Sequence, residues 1–158
     1  MVFSLLIFCF AFVLIYGAPF LPTLTTQINE SLDLLNLEKG QTMLELGCGD
    51  GRVLIAASKR GLNVVGYELN PILAAIAWFR TRRYRRLVKI IWGDFWQQSW
   101  PPAEGIFVFI LPRHMKKLNK KIIQYPHKPV SVASFAFAIP GEKPKRISKG
   151  VFLYIYTS

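Results

Sequence analysis

The segment Glu45-Leu46-Gly47-Cys48-Gly49-Asp50-Gly51-Arg52 places an acid at the end of an apolar run and then three glycines at alternate positions. Apolar Met43, Leu44 and Leu46 lead into it, and a helix-compatible run, Val53-Leu54-Ile55-Ala56-Ala57, leaves it. Strand, glycine turn, helix is the arrangement this pattern predicts. Glycine reaches positive φ without steric cost and lets a ligand lie against the backbone. The helix that follows points its free N–H groups back at the turn.

The spacing separates this turn from a dinucleotide-binding one, which reads G-x-G-x-x-G, whereas Gly47, Gly49 and Gly51 read G-x-G-x-G. Glu45 carries further information. A carboxylate at that point repels a pyrophosphate but attracts a cationic ligand, directly or through water. Two more apolar runs end the same way. Asn63-Val64-Val65-Gly66-Tyr67-Glu68 closes on an acid placed to accept both hydroxyls of a ribose, and Val88-Lys89-Ile90-Ile91-Trp92-Gly93-Asp94-Phe95 closes on an acid among aromatic residues.

Three acids at three successive strand ends, with E-x-G-x-G-x-G at the first, resemble the class I S-adenosylmethionine-dependent methyltransferases. The resemblance implies an α/β, Rossmann-like, mostly parallel sheet and S-adenosyl-L-methionine as cofactor. It implies that Glu45, Gly47, Cys48, Gly49, Gly51 and Glu68 line the cofactor site, with Asp94 at the adenine amino group or the substrate edge. The 158 residues suit a single domain of this kind. The stretch after the fourth apolar run, Gly105 to Leu111, is short: a basic helix over 113–125, a strand over 130–139, a Pro- and Lys-containing turn over 141–150 and a last strand over 151–156. The sheet is therefore expected to be trimmed to about six strands, with no insertion left for a lid.

Residues 1–22 differ from the rest. Val2 to Tyr16 carries no charge and is rich in Phe, Leu and Ile. That run of about 15 residues falls short of the roughly 20 a spanning helix needs, although Gly17 to Leu21 extends it. A cleaved signal peptide fits poorly, since no Lys or Arg precedes the apolar core and Gly17-Ala18-Pro19 is a poor cleavage site. The expectation is an uncleaved N-terminal membrane anchor over 1–22 and a methyltransferase domain over 23–158 on the cytoplasmic side, the side where all 20 Lys and Arg lie.

Cys9 and Cys48, the two cysteines, sit in the apolar segment and in the glycine turn, which implies reducing surroundings rather than a disulfide. Cys48 has no histidine near it in sequence and reads as a small lining residue rather than a nucleophile. Neither Cys nor His has metal-ligand spacing. Ile28, Leu32 and Leu35 predict a short helix leaning over the cofactor site. Asn70-Pro71 starts another, which runs through Trp78 towards Tyr84 and ends in Arg80, Arg82, Arg83, Arg85 and Arg86. That cluster is the largest contributor to a net charge of +11. Anionic lipid headgroups are its favoured partner, against a solvated helix end, and no nucleic-acid module is visible.

The fourth strand ends Ile110-Leu111-Pro112-Arg113, without the polar D/N-P-P-Y signature that holds a target amine in adenine-N6 and glutamine methyltransferases. The apolar N-terminal segment, LELGCGDGR, VGYELNP and W-G-D-F-W together resemble the membrane-anchored protein-lysine methyltransferases of the ATP synthase c-subunit and adenine nucleotide translocase type. That resemblance implies transfer of methyl groups to a lysine of a membrane-associated protein. Trp92, Phe95 and Asp94 are the candidate catalytic residues, with Trp92, Phe95, Trp96 and Phe109 as candidate walls of an apolar acceptor channel. His114 and His127 read as surface residues. Two alternatives stand beside lysine methylation: a lipid or small amphiphilic acceptor, and a non-catalytic cofactor-binding assembly factor.

Overall fold

The computed structural model describes residues 23–157, so the segment expected to anchor the chain, residues 1–22, lies outside the described residues. Strands β1 (Thr42–Leu46), β2 (Asn63–Glu68), β3 (Val88–Trp92), β4 (Gly105–Val108), β5 (Val130–Phe135), β6 (Arg146–Ser148) and β7 (Val151–Tyr156) form one sheet. Their order is β3-β2-β1-β4-β5-β7-β6. The first five run parallel, and β7 lies antiparallel between β5 and β6. The chain steps one way from β1 to β2 and β3 and the other way to β4 and β5. The crevice at the carboxyl ends of β1 and β4 is thus the switch point where ligands of open α/β sheets bind.

The sheet is not trimmed to about six strands; it has seven. The segment expected to be only a turn contains β6, which pairs with β7 in register Ser148↔Val151. The two residues between them, Lys149 (φ 46°) and Gly150 (φ 79°), both take positive φ, as a type I′ hairpin turn requires. Three residues with Arg146 among them carry too little apolar alternation to announce a strand. At the sheet's edge that brevity and charge deter pairing with another chain.

Helices α1 (Thr25–Leu35), α2 (Arg52–Lys59), α3 (Pro71–Thr81) and α4 (Met115–Ile123) cover the faces. On one face Met43, Val64, Phe107 and Ala133 meet Ile28, Leu32 and Leu35 of α1, Val53, Leu54 and Ala57 of α2 and Ala77 of α3. On the other, Leu44, Leu46, Ile106, Val108 and Val132 meet Met115, Leu118 and Ile122 of α4 and Trp100 of the β3–β4 connection. Each large side chain buried in these layers contributes about 1.5–3 kcal/mol. Helix α1 is a core element rather than a lid: Ile28, Leu32, Leu34 and Leu35 are all buried, and it packs on β5, β7 and α2. It ends at Asn36, in the left-handed conformation (φ 47°, ψ 45°). Among the described residues no helix is long and apolar enough to cross a membrane.

Candidate active site

β1 delivers Glu45 and Leu46 to the crevice, and the chain then turns through Gly47 to Gly51 into α2. The turn is pinned to β2: the amides of Gly47 and Cys48 both donate to the Tyr67 carbonyl, at 3.0 and 2.8 Å. Two of its glycines serve different ends. Gly47 (φ 93°) has nothing within 4 Å of where a Cβ would stand, which leaves a space that a ligand can enter. A Cβ on Gly51 (φ 80°) would come within 3.1 Å of the Ala77 Cβ and 3.3 Å of the Thr81 Cγ2. Glycine there lets α3 close on the start of α2.

Glu68, at the tip of β2, ties the two loops together. One carboxylate oxygen accepts from the Gly49 amide and the other from the Asn70 amide, each at 2.8 Å. Burial raises its pKa, and those amides oppose the shift. A carboxylate has about four acceptor positions, so lone pairs remain for the two hydroxyls of a ribose. Asn70 caps α3 as expected, its Oδ1 accepting from the amides of Ile72 (2.9 Å) and Leu73 (3.3 Å).

Glu45 is 3% exposed, and its Oε2 is buried without a hydrogen-bond partner. Desolvation first, then the neighbouring Glu68 and Asp50 carboxylates, push its pKa well above the usual range. A buried acid among acids, one oxygen unpaired and open space at Gly47 beside it, is a site built for a cation. Asp50 itself is neutralised. Arg52 donates to it through Nε (3.0 Å) and Nη2 (2.8 Å), and Arg80 of α3 bonds the same carboxylate. Burial opposes the charge of Asp50, but the two guanidinium groups win and hold its pKa below the ordinary value. Among the described residues, the two guanidinium groups at the turn, Arg52 and Arg80, are thus taken up by Asp50 rather than by Glu45.

Asp94 stands one loop further on. The Gly93 amide donates to the Glu68 carbonyl (2.9 Å), which brings the β3 loop beside the β2 tip. The Asp94 carboxylate accepts from the Trp96 amide (2.9 Å) and the Gln97 side chain (3.1 Å) and so holds its own turn. The rings of Phe95 and Trp96 meet at 4.5 Å, tilted by 40°, and pack against the core layer that contains Leu46 and Tyr67. Lys121 of α4 fastens this loop, donating to the carbonyls of Trp96 (3.1 Å) and Gln98 (3.0 Å). Trp92 is separate: it is 68% exposed at the sheet's outer edge, with its indole N–H on the Leu69 carbonyl (3.1 Å). Trp92 and Phe109 do not share one wall. Phe109 instead packs with Phe135 (4.8 Å) and Phe137 (6.5 Å) at the ends of β4 and β5.

Cys48 is buried, and desolvation with the Glu45 and Glu68 charges drives its thiol pKa far up. His114 is half-buried with a lowered pKa, from burial and from Arg113 and Lys117, and faces Trp96 at 6.1 Å; His127 is exposed. Among the described residues no cluster of His, Cys, Asp and Glu is arranged to hold a metal. Sequence reasoning missed the Asp50–Arg52–Arg80 network and the Phe135/Phe137 pair. The first had a weak signal in an Asp and an Arg flanking Gly51, and the second in the alternation Phe135-Ala136-Phe137.

With the geometry in place, comparison with known families is decisive: residues 45–146 match the ANTKMT methyltransferase domain. The chain belongs to this methyltransferase family. It is similar to the Homo sapiens lysine N-methyltransferase of the ATP synthase c-subunit, at 33% identity over 82% of this chain and 56% of that protein. It is also similar to a protein-lysine N-methyltransferase of Saccharolobus islandicus, at 29% identity over 83% of this chain and 84% of that one. The chain thus spans little more than half the length of the human relative. In fold it superposes on an RNA methyltransferase from Salinibacter ruber in complex with S-adenosyl-L-homocysteine, with a TM-score of 0.81 and 25% identity over 87% of this chain and 94% of that one. A class I methyltransferase domain draws its methyl group from S-adenosyl-L-methionine, and the residues present fit that molecule. The unpaired Oε2 of Glu45 suits a ligand that carries an ammonium and a sulfonium, the space at Gly47 admits it, and Glu68 has acceptors left for its ribose.

Proposed function

We propose that this protein is an S-adenosyl-L-methionine-dependent methyltransferase acting on a lysine side chain of a membrane-associated protein. Residues 1–22 serve as its membrane anchor, and the catalytic domain stands on the cytoplasmic side. The observation that carries the reading is buried Glu45, its Oε2 without a partner, beside the open space at Gly47, in a chain whose relatives are named for protein lysines. Bound there, the cofactor supplies an electrophilic methyl group on a sulfonium. Glu45 orients its cationic end, Glu68 holds the ribose, Cys48 fills the turn and Asp94 bounds the adenine or the acceptor edge.

A free lysine has a pKa of about 10.4 and attacks only after losing its proton. An apolar surround lowers that pKa by disfavouring the charged form. Phe109, with Phe135 and Phe137, supplies such a surround at the ends of β4 and β5, and positioning supplies much of the remainder of the rate. Phe95 and Trp96 shape the loop on the far side of the crevice. No acid or base is assigned to the transfer itself.

The test is to incubate the full chain, and separately its Glu68→Ala form, with membranes and methyl-labelled S-adenosyl-L-methionine, and to separate protein, lipid and RNA. Label recovered as methyl-lysine with the unmodified chain and lost with the variant supports the proposal. Label in the lipid fraction replaces the acceptor with an amphiphile, label in RNA replaces it with a nucleic acid, and no label anywhere overturns catalysis.

A further inference from the structure

Helix α3 has its large and small side chains on unexpected sides. The residues it buries are small, Ala74, Ala77 and Thr81, whereas Ile72, Ala75, Ile76 and Phe79, at i, i+3, i+4 and i+7, form one apolar face turned to solvent. A helix on a protein surface ordinarily carries polar residues there. Together with Pro71 these four line an open groove of about 530 Å³, and Phe79 is 59% and the adjacent Trp78 69% exposed. Just past the apolar row, Arg82, Arg83, Arg85 and Arg86 are all exposed, and the Arg82 guanidinium lies 4.1 Å from the centre of the Phe79 ring. From Pro71 to Arg86 there is no acid.

Thr23, the first described residue, connects to this helix. The Thr23 carbonyl accepts from the Arg52 guanidinium (3.4 Å), and Arg52 shares Asp50 with Arg80 of α3. Thr23 is thus tied to α3 through one hydrogen bond and the two ion pairs of Asp50. Exposed apolar side chains, a flanking tryptophan and a terminal set of arginines are what an interfacial helix presents to a bilayer with negative headgroups. Neither a second copy of this helix nor residues 1–22, which hold no acid, offers those arginines a counter-charge.

We infer that α3 is a lipid-docking face: its Ile72–Ile76–Phe79 row enters the headgroup boundary of an anionic membrane while Arg82, Arg83, Arg85 and Arg86 pair with lipid phosphates. Docking along α3 sets the orientation of the domain, because the cap of α3, Asn70, is bonded to Glu68. The crevice then opens next to the membrane surface, where the lysine of a membrane protein would stand. The inference rests on the membrane-acting reading above.

The test uses the full chain with Cys9→Ser and a spin label at Ile76→Cys or, as control on the other face of the sheet, at Ile123→Cys, both exposed positions. Vesicles are phosphatidylcholine with about one third phosphatidylglycerol. The docking account expects the label at 76 to become accessible to oxygen and shielded from an aqueous nickel chelate when vesicles are added, while the label at 123 stays aqueous. Replacing Arg82, Arg83, Arg85 and Arg86 with Gln is expected to weaken partition into these vesicles about tenfold or more, with little effect on neutral ones. A label at 76 that stays aqueous while the protein floats with vesicles overturns docking and leaves the anchor standing. A protein that does not float overturns both. A label at 76 shielded before vesicles are added shows that residues 1–22 or a second copy covers the face, and likewise overturns the inference.

Discussion

Replacing Glu45 with Gln probes the site most sharply, because its effects on the empty and the loaded protein have opposite signs. Without ligand, Glu45 is a buried acid whose Oε2 has no partner and which faces Glu68 and Asp50. An unsatisfied buried polar group costs about 1–3 kcal/mol, so removing its charge should leave the free protein as stable as before or more so. Binding should suffer instead. Losing one member of a buried charge pair costs about 2–5 kcal/mol, a weakening of S-adenosyl-L-methionine by about thirtyfold or more. Titration calorimetry with S-adenosyl-L-methionine and S-adenosylhomocysteine, beside thermal melts of the free protein, reads both effects. S-adenosylhomocysteine keeps the ammonium and lacks the sulfonium, so an equal loss for both ligands places Glu45 against the amine. The pH dependence has a definite direction. The pKa of Glu45 in the free fold is raised, and a bound cation favours its ionised form, so affinity should rise with pH up to that pKa, tenfold per unit at most, and binding below it should release a proton. In the Gln variant this dependence should shrink to what Glu68, whose pKa is also raised, contributes. Unchanged affinity, or a destabilised free protein, would refute the reasoning.

Gly47→Ala and Gly51→Ala should separate binding from packing. At Gly47 the new Cβ meets no protein atom, so the change should cost about 1 kcal/mol of backbone strain yet weaken cofactor binding about tenfold or more by calorimetry. At Gly51 the Cβ presses on Ala77 and Thr81, and overpacking of about 1–3 kcal/mol should lower the melting temperature first. Asp50→Asn should cost only about 1 kcal/mol at neutral pH, because Arg52 and Arg80 are partly exposed and screened. Since the pKa of Asp50 is lowered in the fold, its contribution exists above the ordinary carboxylate pKa and disappears as pH falls through the lowered value; melts of the two proteins should therefore converge in strong acid. Phe135→Ala should raise the KM for the proposed lysine acceptor while leaving S-adenosyl-L-methionine affinity within about twofold.

Much of this arrangement is legible in the sequence where local chemistry and fold agree. The run into Glu45, the alternate glycines and the acid at Glu68 are short-range patterns, and their contacts join neighbouring parallel strands. The same holds for Asn70-Pro71, whose capping bonds reach only two and three residues ahead. What the sequence hid depends on distant partners. Arg80 reads as one of a surface cluster until α3 packs on Gly51 and brings it to Asp50. Phe135 and Phe137 meet Phe109 only because β4 and β5 are neighbours. β6 owes its existence to pairing with β7 rather than to Arg146-Ile147-Ser148 itself. The helix over Ile28, Leu32 and Leu35 was legible as a helix, but its placement on the sheet instead of over the site was not, since periodicity says which side is apolar and not what covers it.

The most direct test of the account is a structure of the full chain in complex with S-adenosylhomocysteine. The account predicts its amine within about 3 Å of the Glu45 carboxylate, its ribose hydroxyls on Glu68 and its backbone-facing edge against Gly47. A ligand bound with the Glu45 Oε2 still unpartnered, or with Glu68 unengaged, would contradict it.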